Sequence, residues 1–131
     1  MEKYYFASIP KTKDNFGLIH YDFEYDNVLY DKETQSCNVI DFDDAMYHWY
    51  VMDIEQALDN LQDCLLPNVY HQKKQLFLDG YRTEFAIPDD MMSLMPACRR
   101  FARLYGYVRI LRSVKEQWEH EPQWLVELRK K

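Results

Sequence analysis

The chain has 131 residues, enough for one domain around a single core, and its 47% hydrophobic and 16% aromatic content with only three Gly and five Pro argues against a disordered tail or low-complexity linker. A net charge of −6 disfavours a basic nucleic-acid surface, and no apolar run approaches the ~18 residues of a membrane span. Cys37, Cys64 and Cys98 are odd in number and widely spaced, which disfavours disulfide staples and a thiolate zinc site and points to the reducing cytoplasm.

In chain order, Glu2 to Ser8 reads as the last turns of a helix stopped by Pro10, with no secretory signal at the start, and 11–15 reads as a polar loop. Phe16 to His20 forms a short apolar strand. Val28-Leu29-Tyr30 and Asn38-Val39-Ile40 are two more strands, and the polar segment 31–36 between them makes the pair a hairpin. After Asp44 the pattern changes. Ile54, Ala57, Leu58, Leu61 and Leu65 recur at helical spacing and predict a helix over 51–65. Pro67 stops it and Asn68 caps the next, an amphipathic helix marked by Tyr70, Phe77, Leu78, Tyr81 and Phe85. Met91 to Val108 predicts a third helical stretch, which Pro96 must kink or split. Glu121-Pro122 suits the start of a last short helix carrying Trp124, Leu125 and Leu128. A few strands followed only by helices make an α+β fold, with 1–131 as a single domain.

The residues that carry chemistry lie between 17 and 44. His20 is followed two residues on by Asp22 and then by Asn27; a second apolar strand ends in Asp41, Asp43 and Asp44. This order can put one carboxylate, Asp22, beside a reacting hydroxyl and two oxygen ligands, Asn27 and Asp41, on a divalent cation. Phosphoryl transfer from a nucleotide needs that arrangement, because positioning and charge neutralisation do most of the work. Taken singly, Asp22 reads equally well as a turn residue, Asn27 as a turn cap and Asp41 as a strand end. His20 reads as a loop brace, Asp53 as a helix-start carboxylate supporting the catalytic loop, and the closely spaced Asp43 and Asp44 as a second cation contact and another brace. His48, His71 and His120 carry no spacing signal and read as surface or packing residues.

Three motifs in order, Leu18-Ile19-His20-x-Asp22-x-x-x-x-Asn27-Val28-Leu29, then Val39-Ile40-Asp41-Phe42-Asp43-Asp44, then Met52-Asp53-Ile54, resemble the C-terminal lobe of the aminoglycoside phosphotransferase and choline kinase-like family, which has a protein-kinase-like fold. The resemblance is firm over 16–66 and looser through the later helices. It implies a mostly helical C-terminal lobe and phosphorylation of a small-molecule hydroxyl by ATP or another nucleoside triphosphate. It makes Asp22 the catalytic aspartate and Asn27 and Asp41 the Mg²⁺ ligands, with His20 and Asp53 as structural members of the catalytic core.

Two departures from the family pattern stand out. Tyr21 follows the His where members often carry Gly, and Glu24-Tyr25-Asp26 occupies a stretch that often holds His-Pro-Gly. Glu24, Tyr25 and Asp44, with Tyr47 and Trp49, are the candidates for shaping the acceptor mouth. The family's N-terminal nucleotide lobe, with its glycine-rich cover and phosphate-binding lysine, has no counterpart ahead of Phe16. From this the chain is expected to be a catalytic lobe without its nucleotide lobe, weakly active or inactive alone, with apolar surface that favours self-association. The competing reading is a non-catalytic fragment or degenerate kinase lobe acting as an interaction module. A metal-dependent hydrolase built on His20, Asp22 and Asp41 ranks last, for want of further His ligands.

Overall fold

The structure, a computed structural model, describes residues 6–115 and 119–130. The chain divides into two compact units, Met1–Arg99 and Arg100–Lys131, and each is described by itself.

The first unit holds two antiparallel two-stranded ribbons and the helices that follow them. β1 (Phe16–Ile19) pairs with β4 (Met46–Trp49), from Phe16 opposite Trp49 to Ile19 opposite Met46. β2 (Val28–Asp31) pairs with β3 (Ser36–Val39), with Val28 opposite Val39. The second ribbon is the expected hairpin. Asp31 Oδ1 accepts from the Glu33 and Thr34 amides at 2.8 and 3.3 Å, an Asx turn that bends the polar segment back on itself. β4 was not foreseen; its residues run straight into a helix, and their partner lies about thirty positions earlier in the chain.

α1 (Val51–Cys64) is the centre of the core: Val51, Met52, Ile54 and Leu58 are fully buried on it. Its apolar spacing of three and four residues gives it a continuous buried face, which meets the helix that follows. Buried Trp49 sits at the foot of this core, its ring 5.0 Å from those of Phe6 and Phe16, with His48 buried edge-on beside it. Trp49, a candidate for shaping the acceptor mouth, is thus buried, because a large ring lowers the free energy more by leaving water than by lining an open surface. Gly17 is required here: a Cβ on it would come within 2.3 Å of the Tyr50 hydroxyl, whose own position is held by the Lys13 carbonyl.

α2 (Pro67–Glu84) packs along α1. Pro67 opens α2 at its first turn and does not merely end the preceding helix, and Leu66, not Asn68, occupies the cap. Proline's fixed φ and missing N–H suit a position whose amide has no intrahelical partner. The third helical stretch is split, as Pro96 demands, into α3 (Asp89–Met92) and α4 (Met95–Lys115). Met91, Leu94, Ala97 and Cys98 are buried in this unit. A second polar tie crosses it: the Arg99 guanidinium binds the buried Glu55 carboxylate and reaches Asp59 at 3.3 Å.

The second unit comprises the rest of α4 and α5 (Gln123–Leu128). Phe101 stacks on Tyr105 at 5.8 Å, Leu125 is buried, and Arg129 pairs with Glu121 and donates to the Val114 carbonyl. The expected helix over 2–8 is seen at Phe6 and Ala7; its earlier part lies outside the described residues. Among the described residues no helix is long and apolar enough to cross a membrane.

Candidate active site

β1 delivers the chain into the loop that carries Asp22. Ile19 is the last strand residue; His20 and Tyr21 then turn away from the ribbon. Tyr21 has φ 70°, the left-handed region that glycine enters freely and other residues enter at a cost of roughly 1–2 kcal/mol. Two features hold it there. Its ring is buried, and its amide donates to Asp53 Oδ1 at 2.8 Å. The His20 amide donates to Asp53 Oδ2, also at 2.8 Å. One carboxylate thus grips two consecutive N–H groups, so a tyrosine keeps the backbone turn that a glycine would have made unaided. Burial pushes the Asp53 carboxyl above its usual range, while the two N–H donors pull the other way.

His20 is buried and braces the loop from the inside. Its Nε2 lies 2.8 Å from the Ile40 carbonyl, which can only accept, so Nε2 carries the proton. The Phe42 ring covers it at 4.6 Å. Its Nδ1 is buried without a hydrogen-bond partner among the described residues.

A 3-10 turn, Tyr25–Asn27, then leads into β2. The Asn27 carboxamide donates to the Asp22 carbonyl at 2.8 Å and to Asp22 Oδ2 at 3.2 Å. Its NH2 group is therefore turned toward Asp22, and its Oδ1 faces away with a lone pair to offer. The Asn27 carbonyl accepts from the Ile40 amide at 3.0 Å, extending the hairpin by one pair beyond Val28 and Val39. Ile40 is thus held at both its N–H and its C=O, and the next residue is Asp41, exposed and with φ 61°.

Hydrogen bonds thus run without a break from Asp53 through His20, Ile40 and Asn27 to Asp22 at the adjoining ends of β1, β2 and β3, and Asp41 follows Ile40 in the chain. Asp43 and Asp44 occupy the middle of a tight turn closed by the Ala45 amide on the Phe42 carbonyl at 3.0 Å; Asp43 is exposed and Asp44 half-buried. Glu24 lies on the Asp22 side, its amide 2.9 Å from the Asp22 carbonyl. Burial raises the Glu24 carboxyl above its usual range, and the neighbouring charges of Asp22, Asp26 and Asp59 raise it further. Tyr25 is exposed, and its amide donates to Asn60 Oδ1 at 3.0 Å. His71 and His120 are exposed, as expected for residues without a motif.

Among the described residues no three His, Cys, Asp or Glu side chains converge on a common point as a metal cluster. Asn27 and Asp41 offer one carboxamide oxygen and one carboxylate, both hard oxygen groups. That set fits a divalent cation of the Mg²⁺ type, which keeps several waters and completes its shell with phosphate oxygens.

A cavity of about 660 Å³ opens beside the loop, lined by Leu18, His20, Phe42, Asp53, Phe77 and Tyr81 among others. None of Glu24, Tyr25, Asp44, Tyr47 or Trp49 lines it. This cavity leaves no mark in the sequence, since α2 supplies one wall from residues that read only as an amphipathic stripe. Asn60 was likewise invisible: it belongs to no motif and lies in a polar stretch of α1.

Three comparisons bear on this geometry. The sequence profile of the phosphotransferase enzyme family (APH) matches residues 2–86. The chain is 35% identical over 77 residues to amicoumacin kinase of Bacillus subtilis (strain 168), a match covering 59% of this chain and 22% of that protein. Its fold superposes on a solved amicoumacin kinase in complex with AMP-PNP, Ca²⁺ and Ami, with a TM-score of 0.69 and 24% identity over 97% of this chain and 39% of that one. The chain thus spans well under two thirds of the length of either relative, and the second likeness establishes a protein-kinase-like fold.

Proposed function

The chain belongs to the phosphotransferase enzyme family, and on that premise we propose that it forms the C-terminal catalytic lobe of an ATP-dependent kinase acting on a small-molecule hydroxyl. The observation that carries this reading is the Asn27 carboxamide bonded to both the main chain and the side chain of Asp22. It ties the proposed base to a proposed metal ligand in one rigid unit.

In this reading Asp22 orients the acceptor hydroxyl and takes its proton as the bond to phosphorus forms. One of its carboxylate oxygens is committed to Asn27, which leaves Oδ1 for the hydroxyl. Asn27 Oδ1 and the Asp41 carboxylate would hold Mg²⁺, the cation that neutralises charge on the nucleotide phosphates. His20 and Asp53 hold the loop in register, and Asp43 lends negative charge next to Asp41. Glu24, Tyr25 and Asp44 stand at the acceptor side. The fold neighbour's AMP-PNP and Ca²⁺ support nucleotide and divalent-cation binding, and both relatives' names support a small hydroxylated acceptor. The cysteine usage fits a cytoplasmic setting. Exposed apolar side chains such as Leu18 and Phe42 supply surface for self-association.

The test is phosphoryl transfer from MgATP to a panel of hydroxylated small molecules by the chain joined to the nucleotide lobe of a family member, with MgADP affinity read in parallel. Asp22→Asn is expected to lower transfer by roughly 10²–10⁴-fold with unchanged MgADP affinity. Full activity in that variant overturns the role of Asp22. A chain with neither transfer nor an Asp41-dependent MgADP affinity would be a non-catalytic interaction module instead.

A further inference from the structure

The catalytic reading above has the loop held from α1 by Asp53 alone, with His20 bracing it from the inside. We infer that Asn60 is a second positioning residue for Asp22, acting through the main chain of Tyr25, so that α1 supports the loop at both ends.

The geometry is as follows. Asp53 and Asn60 are seven residues apart on α1, which is two turns, so their side chains leave nearly the same helix face about 10 Å apart along the axis. Asp53 takes the amides of His20 and Tyr21, just before Asp22. Asn60 takes the amide of Tyr25, three residues after Asp22. Between these grips the loop closes on itself: the Glu24 amide donates to the Asp22 carbonyl, and the Asn27 amide donates to the Glu24 carbonyl at 3.1 Å. The Asp22 carboxylate therefore hangs from a short arc fixed at both ends to one rigid element. Freeing the Tyr25 end lets the 3-10 turn rotate, and with it the Asn27 carboxamide that orients Asp22.

The choice of a carboxamide has its own physical reason. Asp22, Glu24, Asp26 and Asp59 crowd this end of the loop, and after burial it is the charges of the other three that raise the Glu24 carboxyl. An Asp at position 60 would accept the same hydrogen bond and add a fifth negative charge. Asn accepts from the amide through a neutral oxygen, so the loop is anchored without further repulsion.

This inference rests on the kinase reading, and the experiment separates the two. Tyr25 amide hydrogen exchange, equilibrium stability, kcat and the KM for MgATP are measured in the full chain and in Asn60→Leu, Asn60→Asp and Asp22→Asn. Asn60→Leu is expected to speed Tyr25 exchange at least about tenfold and to lower kcat by roughly ten- to a hundredfold, with KM for MgATP within twofold, since misplacing a catalytic group by about 1 Å costs on that order. Asn60→Asp, which keeps the acceptor, restores Tyr25 protection and most of kcat, the more so at high salt, where the added charge is screened. Unchanged Tyr25 exchange or unchanged kcat in Asn60→Leu overturns the positioning role while leaving Asp22 as the base. Full activity in Asp22→Asn overturns both. A uniform fall in stability and in all amide protection for Asn60→Leu, not reversed by Asn60→Asp, assigns Asn60 to general packing and also overturns it.

Discussion

The two ribbons of the first unit are the same size and serve opposite ends. β2–β3 is closed by a four-residue local turn, and Leu29 and Tyr30 on it are more than half exposed. β1–β4 joins strands some thirty residues apart, and His48 and Trp49 at its far end are buried among aromatic rings. The exposed ribbon ends in Asn27 and Ile40 and presents Asp41; the buried one ends in Ile19 and launches the loop bearing Asp22. The residues proposed to hold the cation stand on the ribbon with little core to lose. The fixed frame they are measured against stands on the ribbon that the core cannot do without.

That contrast can be broken most forcefully at Trp49. Trp49→Ala is expected to cost about 3–5 kcal/mol in denaturant unfolding, the usual penalty for emptying a buried aromatic site. Trp49→Phe should cost far less, because the Trp49 Nε1 has no hydrogen-bond partner among the described residues to lose. An intermediate effect comes from His48. Burial lowers its pKa from 6.5 to about 4. The unfolded chain binds this proton below 6.5 and the folded chain does not, so stability falls as pH drops from 6.5 toward 4, at a slope of up to about 1.4 kcal/mol per pH unit. Asp53 and Glu55, whose carboxyls are raised in the fold, act in the opposite sense and flatten the loss. Unfolding midpoints measured across that window should show a shallower slope in His48→Phe; an identical slope means that another group titrates there. The smallest effect belongs to the exposed ribbon. Leu29→Thr should change stability by less than about 0.5 kcal/mol, and a loss of more than 2 kcal/mol would mean that the hairpin is as much part of the core as its counterpart.

The same contrast explains what could be read in advance. The β2–β3 hairpin, α1, α2 and the split at Pro96 follow from local signals: alternation, a polar turn, three-and-four spacing and proline geometry. The order His20, Asp22, Asn27, Asp41, Asp53 was equally legible, because motif spacing survives without knowledge of the fold. β4 was not, since four residues abutting a helix have too short a period to register and their pairing is non-local. Asn60 and the cavity wall from α2 escaped for a related reason: a side chain that bonds a backbone amide 35 positions away leaves no pattern in the chain. Trp49 was misplaced because an aromatic near acidic residues looks the same from sequence whether it faces water or the core.

The ties that Asp53 and Asn60 make from α1 to the loop end on the main-chain N–H groups of residues 20, 21 and 25. Any residue except proline offers such a group. The side chains of Glu24, Tyr25 and Asp26 can therefore be exchanged for others without loosening these ties, because the posture of the arc is set by α1 and not by what those side chains are.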